Sequence, residues 1–236
     1  MTSELPGKEK ELQGYKLSEI FDISKMVSFY NEKIWPIISF SYLKKINYWV
    51  LGRKLQIKEG EKILEVGSGS EINYSAVAKK VGKDGLYVAL DVDEKVQARA
   101  KKSYLFFLKG NKGEEKGKAE HAVGDGVNSL PFAADTFDSI VASNFTGMNK
   151  NENIFSTKGW DLFLKEALRV LKPGGKIASS YFEFQIPLAS ILYFHKFKKA
   201  GFENVSLSPG NPSFMLIGMH WIISGVKPNQ DSGQES

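Results

Sequence analysis

A chain of 236 residues with 42% hydrophobic and 25% charged content has room for one sizeable globular domain with additions. It has no cysteine, which excludes a disulfide framework, a cysteine nucleophile, a zinc–thiolate site and a cysteine-held iron–sulfur cluster, and fits a reducing compartment. The net charge is +5, but lysines stand beside glutamates, as in Lys8–Glu11 and Gly113–Lys118, which reads as a solvated mixed surface rather than a nucleic-acid or anionic-membrane face.

Residues 1–14 are expected to be disordered, and 15–56 read as helical and aromatic-rich, with Pro36 kinking or breaking the stretch. From Glu61 strand and helix alternate. Lys62–Val66 is a first strand ending in glycines, and Tyr74–Val81 is a helix. Leu86–Leu90 is a second strand and Glu94–Leu108 a second helix. Gly110–Lys118 is a polar, Gly-rich loop, Ala119–Val123 a third strand, and Ser139–Ala142 lies in a fourth. Trp160–Leu171 is an amphipathic helix, which Pro173-Gly174-Gly175 stops before a fifth strand at Lys176–Phe182. Ala189–Ala200 is a further helix. Val205–Leu207 and Met215–Val226 are closing strands, the domain spans 57–228, and 229–236 is a disordered tail. No apolar run is long enough to span a membrane, and the polar N-terminus lacks the apolar stretch of a signal peptide, so a cytoplasmic location is expected.

Such alternation predicts an α/β fold with a mostly parallel, doubly wound sheet and helices on both faces. Ligands of these sheets bind beyond the carboxyl ends of the strands, here in the loops after Val66, Leu90, Val123 and Ala142. Three constellations fall there. Glu65-Val66-Gly67-Ser68-Gly69-Ser70-Glu71 runs from a strand into a Gly-rich turn, where a backbone can approach a ligand closely or simply turn tightly. Asp91 ends the second strand, where a carboxylate accepts ribose hydroxyls or caps the following helix, a role for which Asp93 competes. Gly124-Asp125-Gly126 follows the third strand, where an acidic residue accepts from an adenine amino group or forms a polar turn. The dinucleotide pattern G-x-G-x-x-G fails, because Ile72 holds its last position.

Residues 61–183 resemble the class I S-adenosylmethionine-dependent methyltransferases, particularly the group acting on small molecules, quinones and lipids. The resemblance rests on Ile63–Ser70 (ILEVGSGS), Val88–Asp93 (VALDVD), Gly124-Asp125-Gly126 with Leu130-Pro131-Phe132 and Phe137-Asp138, and Arg169–Gly175 (RVLKPGG), in that order. It implies a Rossmann-like, doubly wound seven-stranded sheet, mostly parallel with one antiparallel strand near its edge, plus N-terminal helices. It also implies S-adenosylmethionine as cofactor and S-adenosylhomocysteine as product. Glu65, Gly67, Ser68 and Gly69 would then hold the methionine and ribose portions. Asp91 would take the ribose hydroxyls, with Val92 against the adenine. Asp125 and Gly126 would read the adenine edge, and Ser143 and Asn144 would flank the transferred methyl. One departure stands out. Glu71 occupies the place of the family's usual third glycine and brings a negative charge toward the cofactor's carboxylate.

Radical use of this cofactor is excluded by the lack of cysteines. Because a sulfonium already activates its methyl group, the protein need only align the acceptor and exclude water, so no catalytic residue is singled out and no metal site is expected. His121, His195 and His220 read as structural or surface residues. The segment Ser143-Asn144-Phe145-Thr146-Gly147 lacks the Pro-Pro-aromatic motif of amino-methylating nucleic-acid enzymes, which argues against a nucleic-acid partner. The aromatic stretch 15–56 reads either as helices packed on the sheet or as a lid in which Tyr30, Trp35 and Tyr42 face a small, apolar, lipid- or quinone-like acceptor. Such an acceptor allows peripheral membrane contact. Two other readings stay open: a protein or RNA methyltransferase, suggested by the basic charge, and a non-catalytic binding protein retaining the fold, suggested by Glu71.

Overall fold

The computed structural model describes residues 50–69, 77, 80–110, 118–143, 158–183, 188–210 and 219–229. Seven strands form one sheet: β1 (Lys62–Val66), β2 (Leu86–Asp91), β3 (Lys118–Val123), β4 (Phe137–Ser143), β5 (Leu171–Glu183), β6 (Glu203–Pro209) and β7 (Met219–Val226). Among the described residues, three helices of stated bounds lie between strands: α1 (Glu94–Gly110), α2 (Lys158–Val170) and α3 (Leu188–Ala200). Residues 50–55, 77 and 80–81 are also helical. The sheet order is β3-β2-β1-β4-β5-β7-β6. The pairings β3–β2, β2–β1, β1–β4 and β4–β5 are parallel, and β7 runs antiparallel to both β5 and β6. The expected seven-stranded Rossmann-like sheet with one antiparallel strand near its edge is the one observed.

The central strands are apolar almost throughout, as strands buried on both faces must be. Alternation along each strand sends side chains to two cores. Leu64, Val66, Val88, Leu90, Ile140, Ala142 and Ile177 meet Trp160, Phe163 and Leu164 of α2 and Phe197 of α3. Ile63, Tyr87, Ala89, Val141 and Ala178 meet Leu51, Leu55, Val77 and Val81 on the other face. Trp160 anchors the first core, edge-on to Phe163 and near-stacked on Tyr193 at 4.9 Å. The chain switches direction of progress between β1 and β4, the switch point at whose carboxyl ends sheets of this kind bind their ligands.

Within the described residues the expected elements recur with small shifts at their ends; α1, for example, runs to Gly110. One expectation needs correction. Pro173-Gly174-Gly175 does not separate α2 from a strand beginning at Lys176. β5 begins at Leu171, paired with Phe137, and the next pairing is Ser139 with Lys176, so the Lys-Pro-Gly-Gly stretch is a bulge within the strand. Gly174 takes φ of +73°, and Gly174 N–H donates to Lys227 O while Lys227 N–H donates to Gly175 O. The bend is thus tied to the end of β7, which local sequence does not foretell. The lid candidates Tyr30, Trp35 and Tyr42, the loop 111–117, Glu71, Ile72, Asn144 and both expected disordered ends, apart from Asn229, lie outside the described residues.

Candidate functional site

The glycine turn after β1 is built by backbone bonds to β2. Gly67 N–H and Ser68 N–H both donate to Leu90 O, at 2.9 and 3.1 Å. Gly69 N–H donates to Asp91 Oδ2 at 3.0 Å. Gly67 and Gly69 have φ of +69° and +66°, a conformation that penalises any residue with a Cβ. A Cβ built on Gly69 would meet nothing within 4 Å among the described residues, so the turn faces an open cradle.

Asp91 ends β2. Its Oδ2 accepts from Gly69, and its Oδ1 accepts from Asp93 N–H at 3.1 Å. Helix capping falls instead to Asp93, whose Oδ1 accepts from Lys95 and Val96 N–H. Each Asp91 oxygen keeps a lone pair for a further donor, such as a hydroxyl. Asp91 O also accepts from Gly124 N–H, which joins the loop after β3 to the same rim. Beside Asp91, Val92 is 67% exposed, and Val123, the register partner of Asp91 on β3, is 53% exposed, two apolar side chains against which a flat ring can lie.

Asp125 accepts from Val127 N–H at 2.7 Å and Asn128 N–H at 3.2 Å, and the Asn128 amide donates to its Oδ2. Partial burial pushes its carboxyl upward, but these hydrogen bonds outweigh it and hold the group below its ordinary value. The polar-turn role is therefore real, and Gly126 is buried within the turn. The loop beyond is held by an ion pair on α2. Glu166 accepts from Leu130 N–H and from Arg169, while Arg169 donates to Leu130 O at 2.9 Å and Phe132 O at 2.8 Å. The Arg169 hydrogen bond, ahead of the opposing effect of burial, keeps Glu166 below the usual carboxylate range. At the end of β4, Ser143 Oγ lies 3.0 Å from Ser180 Oγ of β5.

Two expected site residues are turned inward. Glu65 is 1% exposed and accepts from the Tyr87 hydroxyl of β2. Ser68 is buried, and its Oγ accepts from Gln97 Nε2 at 2.8 Å. Gln97, 3% exposed on the first turns of α1, also lies 3.2 Å through Oε1 from His121 Nδ1 of β3. Since the Gln97 NH₂ serves Ser68, its Oε1 accepts, and His121 Nδ1 carries the proton. Burial, with Lys101 adding to it, lowers the His121 pKa and favours this neutral ring. A buried seam of Ser68, Gln97 and His121 thus runs behind the glycine turn, joining β1, α1 and β3. Sequence reading missed Gln97. Its one local signal is an uncharged amide at i−3 from Ala100, on the buried stripe of a charged helix.

The rim suits a nucleoside ligand carrying a charged tail: an open glycine cradle, a carboxylate with free lone pairs, and apolar walls for a base. Comparison with known proteins agrees. A family profile described as "Methyltransferase domain" matches residues 64–179. The ubiquinone/menaquinone biosynthesis C-methyltransferase of Haemophilus ducreyi is 28% identical over 60% of this chain and 49% of its own. The demethylmenaquinone methyltransferase of Staphylococcus saprophyticus is 28% identical over 69% of this chain and 61% of its own. The matched region thus spans about half to three fifths of the length of these relatives. A SAM-dependent methyltransferase from Aquifex aeolicus shares the fold, with a TM-score of 0.60 at 20% identity over 88% of this chain and 99% of that one. With its ordered motifs, its matched methyltransferase domain and its strand order together, the chain belongs to the class I S-adenosylmethionine-dependent methyltransferases.

Proposed function

We propose that this chain transfers the methyl group of S-adenosylmethionine to a small, apolar, quinone-like acceptor and releases S-adenosylhomocysteine. The carrying observation is the stitched rim, in which the Gly67–Gly69 turn, Asp91 and the Gly124–Gly126 loop are hydrogen-bonded side by side around an open cradle. Asp91 accepts the ribose hydroxyls. Val92 and Val123 cover the adenine faces, with Asp125 and Gly126 at its edge. Glu65, itself turned toward Tyr87, contributes by fixing the floor of the turn, and Ser68 through its backbone. Ser143 and Asn144 are assigned to the methyl end. The bound cofactor would supply a sulfonium-activated methyl. The chain aligns the acceptor and excludes water. The quinone-pathway names of the two relatives support the acceptor class.

The test has two arms. Calorimetric titration with S-adenosylmethionine and S-adenosylhomocysteine measures cofactor binding. Incubation with methyl-labelled cofactor and a reduced naphthoquinone lacking its ring methyl measures transfer. Label in the quinone supports the whole reading. Cofactor binding without label, in that quinone and in simpler quinols, overturns the acceptor assignment and leaves the cofactor site standing. Absence of cofactor binding overturns the reading entirely.

A further inference from the structure

Among the described residues, five large hydrophobic side chains stand exposed: Val92, Val123, Leu162, Ile191 and Leu192. The first two line the cofactor rim. The other three share the outer surface of α2 and α3, neighbours on one face of the sheet. Trp160 of α2 packs on Tyr193 and Phe197 of α3, and Asp161 is bridged to Lys196 at 2.6 Å. The exposed stripe of α2 is Lys158, Asp161, Leu162 and Lys165, and that of α3 is Ile191, Leu192, His195, Lys198 and Lys199. α3 contains no acidic residue, and the single carboxylate on either stripe, Asp161, already bridges Lys196. The surface therefore combines three aliphatic side chains with four outward lysines.

We propose that the α2–α3 face docks on an anionic lipid bilayer. Aliphatic side chains among lysines are the composition of a surface that lies in a membrane interface, where the aliphatics enter the acyl boundary and the lysines meet lipid phosphates. Protein interfaces differ: they enrich aromatics and arginine and deplete lysine. Here the bulkiest aromatics of these helices, Trp160, Phe163 and Phe197, are fully buried, and neither exposed stripe contains arginine. A single-stranded nucleic acid would need exposed stacking rings. Position adds to the argument. α3 begins five residues after β5 ends, so Ile191 and Leu192 stand near the carboxyl edge of the sheet, the edge that carries the cofactor rim. On these two stripes four lysines thus stand beside three aliphatic side chains, against one carboxylate.

The full chain is sedimented with vesicles of phosphatidylcholine alone or mixed with about one third phosphatidylglycerol. Mixed vesicles are expected to carry the protein down, neutral vesicles much less, and added salt should release it. Ile191→Ser with Leu192→Ser is expected to weaken binding about tenfold or more, and Lys165→Gln or Lys199→Gln about fivefold each. All four positions are exposed, so melting temperatures should match the parent and cofactor binding should persist. Failure of the parent chain to sediment with mixed vesicles overturns the proposal. So does equal sedimentation of parent and variants, or stronger retention by soluble polyglutamate than by vesicles, which would mark an acidic protein as the partner.

Discussion

Replacing Gln97 with leucine keeps its volume and removes both hydrogen bonds of the buried seam. Ser68 Oγ loses its 2.8 Å donor and His121 Nδ1 its 3.2 Å acceptor. Depriving a buried polar atom of a partner costs about 1–3 kcal/mol. Leucine recovers part of the two losses through apolar burial, so the net destabilisation is about 2 kcal/mol. For a chain of this size that lowers the melting temperature by about 4–8 °C. The effect on the cofactor is separate. Ser68 lies between Gly67 and Gly69, and loosening its side chain lets the cradle wander, so affinity for S-adenosylhomocysteine should fall about tenfold, or ~1.4 kcal/mol. Differential scanning fluorimetry reads the first effect and calorimetric titration the second. Ser68→Ala combined with Gln97→Leu should cost less than the sum of the two single changes, with a coupling of about 1 kcal/mol. A lowered melting temperature with unchanged affinity would refute the positioning role and leave Gln97 as a purely structural residue. Unchanged values of both would refute the seam itself.

Asp91→Ala removes the acceptor of Gly69 and Asp93 N–H together with the lone pairs assigned to the ribose, so cofactor affinity should fall by about 100-fold or more in calorimetry. Gly69→Ala should cost only about 1–2 kcal/mol of stability, from its positive φ, yet weaken cofactor binding beyond that because the new methyl occupies the cradle. His121 has a depressed pKa in the fold, so the unfolded chain binds the proton more tightly. Stability should therefore decline as pH falls below the ordinary imidazole value near 6.5, and His121→Gln should flatten that part of a denaturation–pH profile.

The βαβ alternation from Lys62 to Val123 was legible because buried parallel strands are short apolar runs set between amphipathic or charged segments. Gly67, Gly69 and Asp91 were legible because a strand that ends in a turn leaves its chemistry at a fixed place in sequence. What escaped was long-range. That Leu171 pairs with Phe137 before the chain bulges through Pro173-Gly174-Gly175 depends on a neighbouring strand and on Lys227. Ser68 lies in the expected turn, yet the direction of its hydroxyl is set by Gln97, 29 residues on. Arg169 reads as the end of an amphipathic helix, and only folding brings it to the carbonyls of Leu130 and Phe132. The motifs thus located the backbone of the candidate site, while the contacts that hold it, from Gln97 to Ser68 and from Arg169 to the Leu130–Phe132 segment, join elements far apart in the chain.

The Glu166–Arg169 pair has a mechanical meaning. It grips the Leu130–Phe132 segment by three backbone groups, so α2 and the loop downstream of Asp125 travel together. The same helix carries Leu162 and Lys165 on its outer side. Whatever presses on that exterior is felt, through one arginine, at the side of the candidate site assigned to the base. Linkage then requires the influence to be mutual: occupancy of the site changes the grip of the exterior by the same factor.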